Sequence, residues 1–384
     1  MTTTDDEIFK MHGGKNPGVL SMKPRFDVTD REQLGKAYTP GVAKIAKLIA
    51  KDPQAKNEYT MSGKLVAIVT DGSAVLGLGN IGQAGGLPII EGKALLYKDL
   101  AGVDAVPLAL NQVPVDEQVE TLKNLADSFA GFHLEDIAAP KCFELEEKLA
   151  QLVDIPVYHD DQEGTAIVVL AALMNACKVA HKELKDLKVL INGVGASGYA
   201  TAKLLLAAGI TKLILVDKEG PITAEDTNYN RYQRQLAEES DIKTKFESLD
   251  DAIEGVDAFI GLSVGDILSA DQVKKMAQNP IIFALANPKP EIDPQVAHDA
   301  GVKIMATGSS QYPNQVNNVL VFPGLYRGLL KSGIKKVTPE LEIAIAQGLS
   351  DRIKNPTAEK FISGVFDDGV DDTVTQTNID FANR

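Results

Sequence analysis

Two groups of residues in this 384-residue chain have types and spacings suited to chemistry. The first is a set of carboxylates, Glu135 next to Asp136, then the pair Asp160-Asp161. Read as oxygen donors without partner His or Cys, they suit a hard dication, Mg2+ or Mn2+. Adjacent side chains on a helix point about 100° apart, so Glu135 and Asp136 converge only where the backbone is irregular. Leu134-Glu-Asp-Ile137 lies between two predicted helices, which allows this. The second group is Gly193-Val194-Gly195-Ala196-Ser197-Gly198, after a predicted strand and opening a predicted helix. There the first glycine permits a tight turn, the second a close approach by a pyrophosphate, and the third close helix–strand packing. Asp217 ends the next predicted strand at the spacing of an acid that binds a ribose hydroxyl. Such an acid repels a 2′-phosphate, which favours NAD over NADP, although Lys218 beside it pulls the other way. Each group has a plainer reading: acidic pairs ordinarily face solvent, and a lone glycine-rich turn is ordinarily a flexible loop.

These residues need a scaffold. Leu65–Thr70 reads as a buried strand, a helix starts near Asp116 with Val119, Leu122, Leu125 and Phe129 on one stripe, and another helix follows Pro140. Val157-Tyr158 reads as the end of a short strand, and 165–181 as a helix apolar nearly all round. Beyond it, strands at 188–192, 212–216, 256–260, 281–285 and 302–306 alternate with helices, a doubly wound pattern. The expected fold is α/β: an N-terminal domain over 1–162 with the acids, then a Rossmann-type domain over 163–384 ending in helices, apart from a polar tail from about Asp367. The formal charge of -14 argues against a nucleic-acid backbone as partner. Two cysteines exclude a disulfide framework and a cysteine zinc site. The acidic start MTTTDDEIFK lacks the apolar core of a secretory signal, and the run Ala166–Cys177 contains Asn175 and is short for a bilayer. A soluble, cytoplasmic protein is expected.

From about Pro17 onward the chain resembles the malic enzyme family in its short bacterial form. The residues that carry the resemblance are Tyr38-Thr-Pro-Gly-Val42, Asp71-Gly72 with Leu76-Gly-Leu-Gly-Asn-Ile-Gly82, Glu91-Gly-Lys-Ala-Leu-Leu-Tyr97 and Leu134-Glu-Asp-Ile137. To these add His159-Asp-Asp-Gln162 with Gly164-Thr-Ala166, Ala286-Asn-Pro288 and Pro313-Asn-Gln-Val-Asn-Asn318. The resemblance implies that Tyr38 is the general acid and Lys93 the general base. It implies that Glu135, Asp136 and Asp161 hold Mg2+ or Mn2+ with Asp160 as a neighbouring carboxylate, and that Asn287 and Asn318 contact substrate near the nicotinamide. Two departures stand out. Ser73-Ala74 occupies the place where longer family members carry an arginine, and Glu163 stands where His or Gln is common.

The implied reaction is oxidation of malate by NAD with loss of CO2 to give pyruvate, together with decarboxylation of oxaloacetate, in a homodimer. A malolactic enzyme would use the same site but retain NADH and release lactate. A dehydrogenase without decarboxylation would need no carboxylate cage, and an NAD-binding regulatory protein would need neither Tyr38 nor Lys93.

Overall fold

The computed structural model describes residues 4–15 and 17–384, so the first three residues of the acidic start lie outside the described residues. The chain opens as an arm of short helices, α1 (Asp5–His12), α2 (Arg31–Ala37), α3 (Val42–Lys51) and α4 (Lys56–Tyr59). Thr4 and Glu7 form a capping box on α1, and Asp30 caps α2. None of the four helices buries a residue, even though α3 is amphipathic.

A four-stranded parallel sheet follows, in the order β2-β1-β3-β4: β1 (Leu65–Thr70), β2 (Asp104–Ala109), β3 (Gly131–Glu135) and β4 (Val157–His159). Thr70 pairs with Glu135, so β1 and β3 end together and Asp71 and Asp136 both lie just past the carboxyl edge. Helices α5 (Gly82–Ala101), α6 (Val115–Leu125) and α7 (Lys141–Leu152) connect the strands. Covered on both faces, β1 is apolar and buried from Val66 onward. The expected stripe on α6 holds for Val119 and Leu122, but the helix stops at Leu125 and Phe129 is buried from the following loop.

Three of these elements escape the hydrophobic pattern. β2 and β3 were not among the expected strands, so the Leu134–Ile137 segment leaves a strand rather than joining two helices. α5 runs through Gly85, Gly86, Pro88 and Gly92, which read as helix breakers. The glycine at 86 has a packing reason, since a Cβ there would press 2.9 Å from Thr70 Cγ2 on β1.

The second sheet has the order β10-β9-β8-β5-β6-β7, built from β5 (Lys188–Asn192), β6 (Lys212–Asp217), the short β7 (Gly220–Pro221), β8 (Ala258–Gly261), β9 (Ile281–Ala284) and β10 (Ile304–Thr307). All pairs are parallel except β6 with β7. The strand order reverses between β5 and β8, which is where ligands bind doubly wound sheets. Helices α9 (Ala196–Ala207), α10 (Arg231–Glu239), α11 (Leu249–Ala252), α12 (Ala270–Val273) and α13 (Pro294–Asp299) cover it.

Helix α8 (Thr165–Ala180) joins the two sheets and is preceded without a break by a π-helical turn, Asp160–Gly164. By length and composition the whole segment Asp160–Ala180 would cross a bilayer, contrary to the shorter run read from sequence. It is a core helix here, 72% buried against α9, the ends of β9 and β10, and α15. The chain then returns to the first sheet through α14 (Phe322–Ser332), α15 (Pro339–Asp351) and α16 (Val370–Ala382). The polar stretch after Asp367 is therefore not a tail. Val370, Val374 and Asn378 of α16 are buried on α14, where Gly324 and Gly328 leave room for them.

Candidate active site

β3 delivers Glu135 as its last residue, and Asp136 follows with φ 54. Aspartate is among the few side chains that tolerate this left-handed conformation. The break in strand alternation turns both neighbouring carboxylates to one side, meeting the condition of irregular backbone. The π-helical turn presents the third, Asp161, whose Oδ2 accepts the Asp136 backbone N–H at 2.8 Å. One oxygen each from Glu135, Asp136 and Asp161 lies within 4.8 Å of the other two. Asp136 Oδ2 is buried without a hydrogen-bond partner.

Burial drives these acids upward, opposed at Glu135 first by Lys93 and reinforced at Asp136 and Asp161 by neighbouring carboxylates. Glu135 is pushed up to about 7, Asp136 to about 8, with Glu135 and Asp161 adding to its burial, and Asp161 to about 6. Three converging carboxylates, two buried and Asp161 half-buried, cannot all ionise without positive charge among them. An all-oxygen set with an orphaned acceptor fits a hard dication.

Lys93, from the middle of α5, lies beside this set. Its Nζ contacts Asp160 Oδ2, sits 2.8 Å from Glu135 Oε2, and lies 4.8 Å over the Phe322 ring of α14. Burial works against its charge, but Asp160, Glu135 and Asp161 outweigh it and hold its pKa above the ordinary lysine range. Asp160 is fixed in turn by the Tyr158 hydroxyl at 2.6 Å. The carboxylates do have histidine neighbours. His133 Nε2 lies 2.7 Å from Glu135 Oε2, while both nitrogens of the buried His159 lack partners, its Nδ1 being 3.8 Å from Asp161. Burial pushes His133 down to about 3 and His159 to about 4, so both are neutral.

Glu163 points away from this group. It accepts the His159 N–H at 2.7 Å and pairs with Glu146 of α7, with Glu342 of α15 nearby.

At the reversal of the second sheet, Gly193 has φ 94 and its N–H bonds to Val216 O. A Cβ on Gly198 would overlap the Gly193 carbonyl, whereas one on Gly195 would meet nothing, leaving that backbone open. α9 starts at Ala196 with no side-chain cap, so its first N–H groups are free for an anion. This is the cradle a pyrophosphate requires. Asp217 Oδ2 accepts Val194 N at 3.2 Å and Gln233 Nε2 at 3.0 Å, which ties it to the glycine turn.

One cleft of about 290 Å3 joins the two halves. Its walls carry Asp161 from the acid set, Gly195, Ala196 and Ser197 from the turn, and Asn287 and Asn318. No arginine or lysine lines it among the described residues.

Two family profiles match the chain, "Malic enzyme, N-terminal domain" over residues 21–150 and "Malic enzyme, NAD binding domain" over 162–363. The chain belongs to the malic enzyme family. It is 43% identical to the NAD-dependent malic enzyme of Geobacillus stearothermophilus over 100% of this chain and 80% of that one. It is 46% identical to the bifunctional malic/malolactic enzyme of Bacillus subtilis over 92% and 87%. The crystal structure of the NAD-dependent malic enzyme of Thermotoga maritima superposes with a TM-score of 0.93 at 41% identity, covering 98% and 99%. Other relatives are named NADP-dependent.

Of the residues singled out from sequence, the fold brings Lys93, Glu135, Asp136, Asp160 and Asp161 together and sets Asp161, Asn287, Asn318 and residues 195–197 of the turn along one cleft. Tyr38 is not brought there. It ends α2 on the arm, 67% exposed and away from the cleft walls. Sequence reading missed His133, Tyr97, Tyr158 and Glu291, whose two oxygens accept Ser263 N and Ala286 N and so hold the loop of Asn287. His133 had a usable signal. On a strand, residues two apart share a face, so reading GFHLE as a strand pairs it with Glu135.

Proposed function

We propose that this malic enzyme oxidises malate with NAD and releases pyruvate and CO2, and that it also decarboxylates oxaloacetate. The observation that carries the reading is the convergence of two buried carboxylates and a half-buried third, one oxygen orphaned, beside a cleft that Asp161 shares with the open glycine turn. Glu135, Asp136 and Asp161 would hold Mg2+ or Mn2+, which supplies positive charge for the substrate's C2 oxygen, and NAD accepts the hydride. A dication among Glu135, Asp136 and Asp161 would offset the carboxylate charge that keeps Lys93 protonated here; the neutral amine, held by Asp160, which Tyr158 fixes, then takes the C2 hydroxyl proton. With no arginine in the walls, Asn287 and Asn318 orient the substrate carboxylates by amide hydrogen bonds.

Tyr38 supplies the proton that C3 receives after CO2 leaves. It acts from a second copy of the chain, in a homodimer. The support is the arm itself, whose helices bury nothing while Phe9, Met22, Phe26, Leu34 and Tyr38 stand exposed. NAD is preferred over NADP because Asp217 meets the ribose. The two domains divide near residue 162, within the continuous helical segment, and the two free cysteines fit a reducing cytoplasm.

The name of the Bacillus subtilis relative favours one second reading, malolactic conversion in the same site. A single assay separates them: malate with Mn2+, NAD against NADP, followed at the reduced-nicotinamide band with pyruvate and lactate measured at the end. Free NADH matching pyruvate is the expected result. Lactate without free NADH, or turnover that survives a chelator, would overturn the reading.

A further inference from the structure

Glu135 Oε2 receives two donors, Lys93 Nζ at 2.8 Å and His133 Nε2 at 2.7 Å. On the far side of the imidazole, Nδ1 lies 2.8 Å from the Tyr97 hydroxyl, and all three residues are buried. The proton positions follow from the partners. Oε2 faces the Lys93 ammonium and so acts as an acceptor, which makes Nε2 the donor. A neutral imidazole then has only an acceptor at Nδ1, and the Tyr97 O–H must donate to it. Tyr97 thus fixes the tautomer in which His133 holds Glu135. The ring is wedged edge-on against Tyr97, Tyr158 and Phe322 at centroid distances of 5.5–5.7 Å, so it has little room to turn. His133, Glu135 and Asp160 also lie within ligand distance of one another, but Lys93 Nζ is bound between the two acids and fills that space.

We infer that the Tyr97–His133 pair positions Glu135, tying Oε2 to the lysine side so that Oε1 is turned to the dication. This rests on the metal reading above. Without the imidazole, Oε2 has only Lys93, and the carboxylate is free to rotate toward it and away from Asp136 and Asp161. His133 therefore contributes to cation affinity without touching the cation. Loss of an outer partner of this kind lowers metal affinity by about 10–100-fold.

The test is Mn2+ binding to the full chain without substrate, from the electron paramagnetic resonance signal of free Mn2+. His133→Leu is expected to bind Mn2+ about 10–100-fold more weakly. His133→Gln, whose amide reaches the position of Nε2 and donates there, should stay within about threefold of wild type, and Tyr97→Phe should fall between. NADH fluorescence titration should be unchanged in all three. A folded His133→Leu with wild-type Mn2+ affinity would overturn the inference. If that variant does not fold, wild-type affinity in Tyr97→Phe would do so. A wild-type chain that binds no Mn2+ would remove the metal reading and this inference together.

Discussion

Two clusters of three acids lie back to back across the π-helical turn, and they have opposite characters. Glu135, Asp136 and Asp161 meet beside the cleft, which Asp161 lines, hold Lys93 at their edge and leave an oxygen unpartnered. Glu146, Glu163 and Glu342 gather between α7, the turn and α15, the first two half-buried and the third buried. Glu146 and Glu163 bond to each other, Glu146 also to Gln162 and Glu163 to the His159 N–H, Glu342 lies beside them, and the cation opposite is Lys203 of α9. Burial raises the pKa of both groups. The difference is what resolves the strain: the second set keeps protons and bonds to itself, while the open set is arranged so that a cation can replace protons. Acidic residues two positions apart, Asp161 and Glu163, thus fall on opposite sides of the distinction.

The largest effect should come from the lysine at the edge of the open set. Lys93→Ala should lower kcat by about 10²–10⁴-fold while the chain still binds NADH. A kcat within tenfold of wild type would remove it as the base. Next, Asp161→Asn should lower kcat/KM by at least about 10²-fold at fixed Mn2+, whereas Glu163→Gln, which copies a protonated carboxyl, should stay within about twofold. Equal losses in the two would erase the contrast drawn between the clusters.

Away from the acids, Asp217→Ser should shift the ratio of kcat/KM values from NAD toward NADP by about tenfold, since it removes a charge that repels a 2′-phosphate. An unchanged ratio would leave Asp217 only its bonds to Val194 and Gln233. The smallest effect concerns the second set. Glu342 is pushed up to about 8, from an ordinary value of 4.5, by burial and then by Glu163, with Lys203 opposing and Glu340 adding; Glu146, up to about 7, faces it from α7. Because the folded state holds a proton that the unfolded chain releases, the contribution of Glu342 to stability is full below about pH 4.5 and is lost as pH rises toward 8. Glu342→Gln should flatten that slope and raise the melting temperature at pH 8 by ~3 °C or more. A slope as steep as wild type would show that Glu342 is ionised in the fold.

Much of this was legible in the sequence, and the gaps have physical causes. The second sheet reads cleanly because its strands are buried on both faces and its glycine turn has a fixed job in a fixed place. β3 does not, because His133 and Glu135 put polar residues on a strand, and they are there for the site rather than for the core. α5 is hidden by glycines that its contact with β1 requires. α16 looks like a tail because only one narrow side of it is buried. Ligand types were readable from Glu135, Asp136 and Asp161; the supporting Tyr97, His133 and Tyr158 were not, since nothing local marks a buried tyrosine as a hydrogen-bond donor to a site. The exposed position of Tyr38, which the proposed pairing of two copies would account for, lies at a level that local pattern does not describe.

The most direct test of the account is the stoichiometry of Mn2+ binding in the wild-type chain, Asp136→Asn and Glu146→Gln, measured side by side. The account predicts one tight Mn2+ per chain in wild type and in Glu146→Gln, and none in Asp136→Asn, which neutralises the carboxyl holding the orphaned oxygen. One tight Mn2+ retained in Asp136→Asn, or lost in Glu146→Gln, would contradict it.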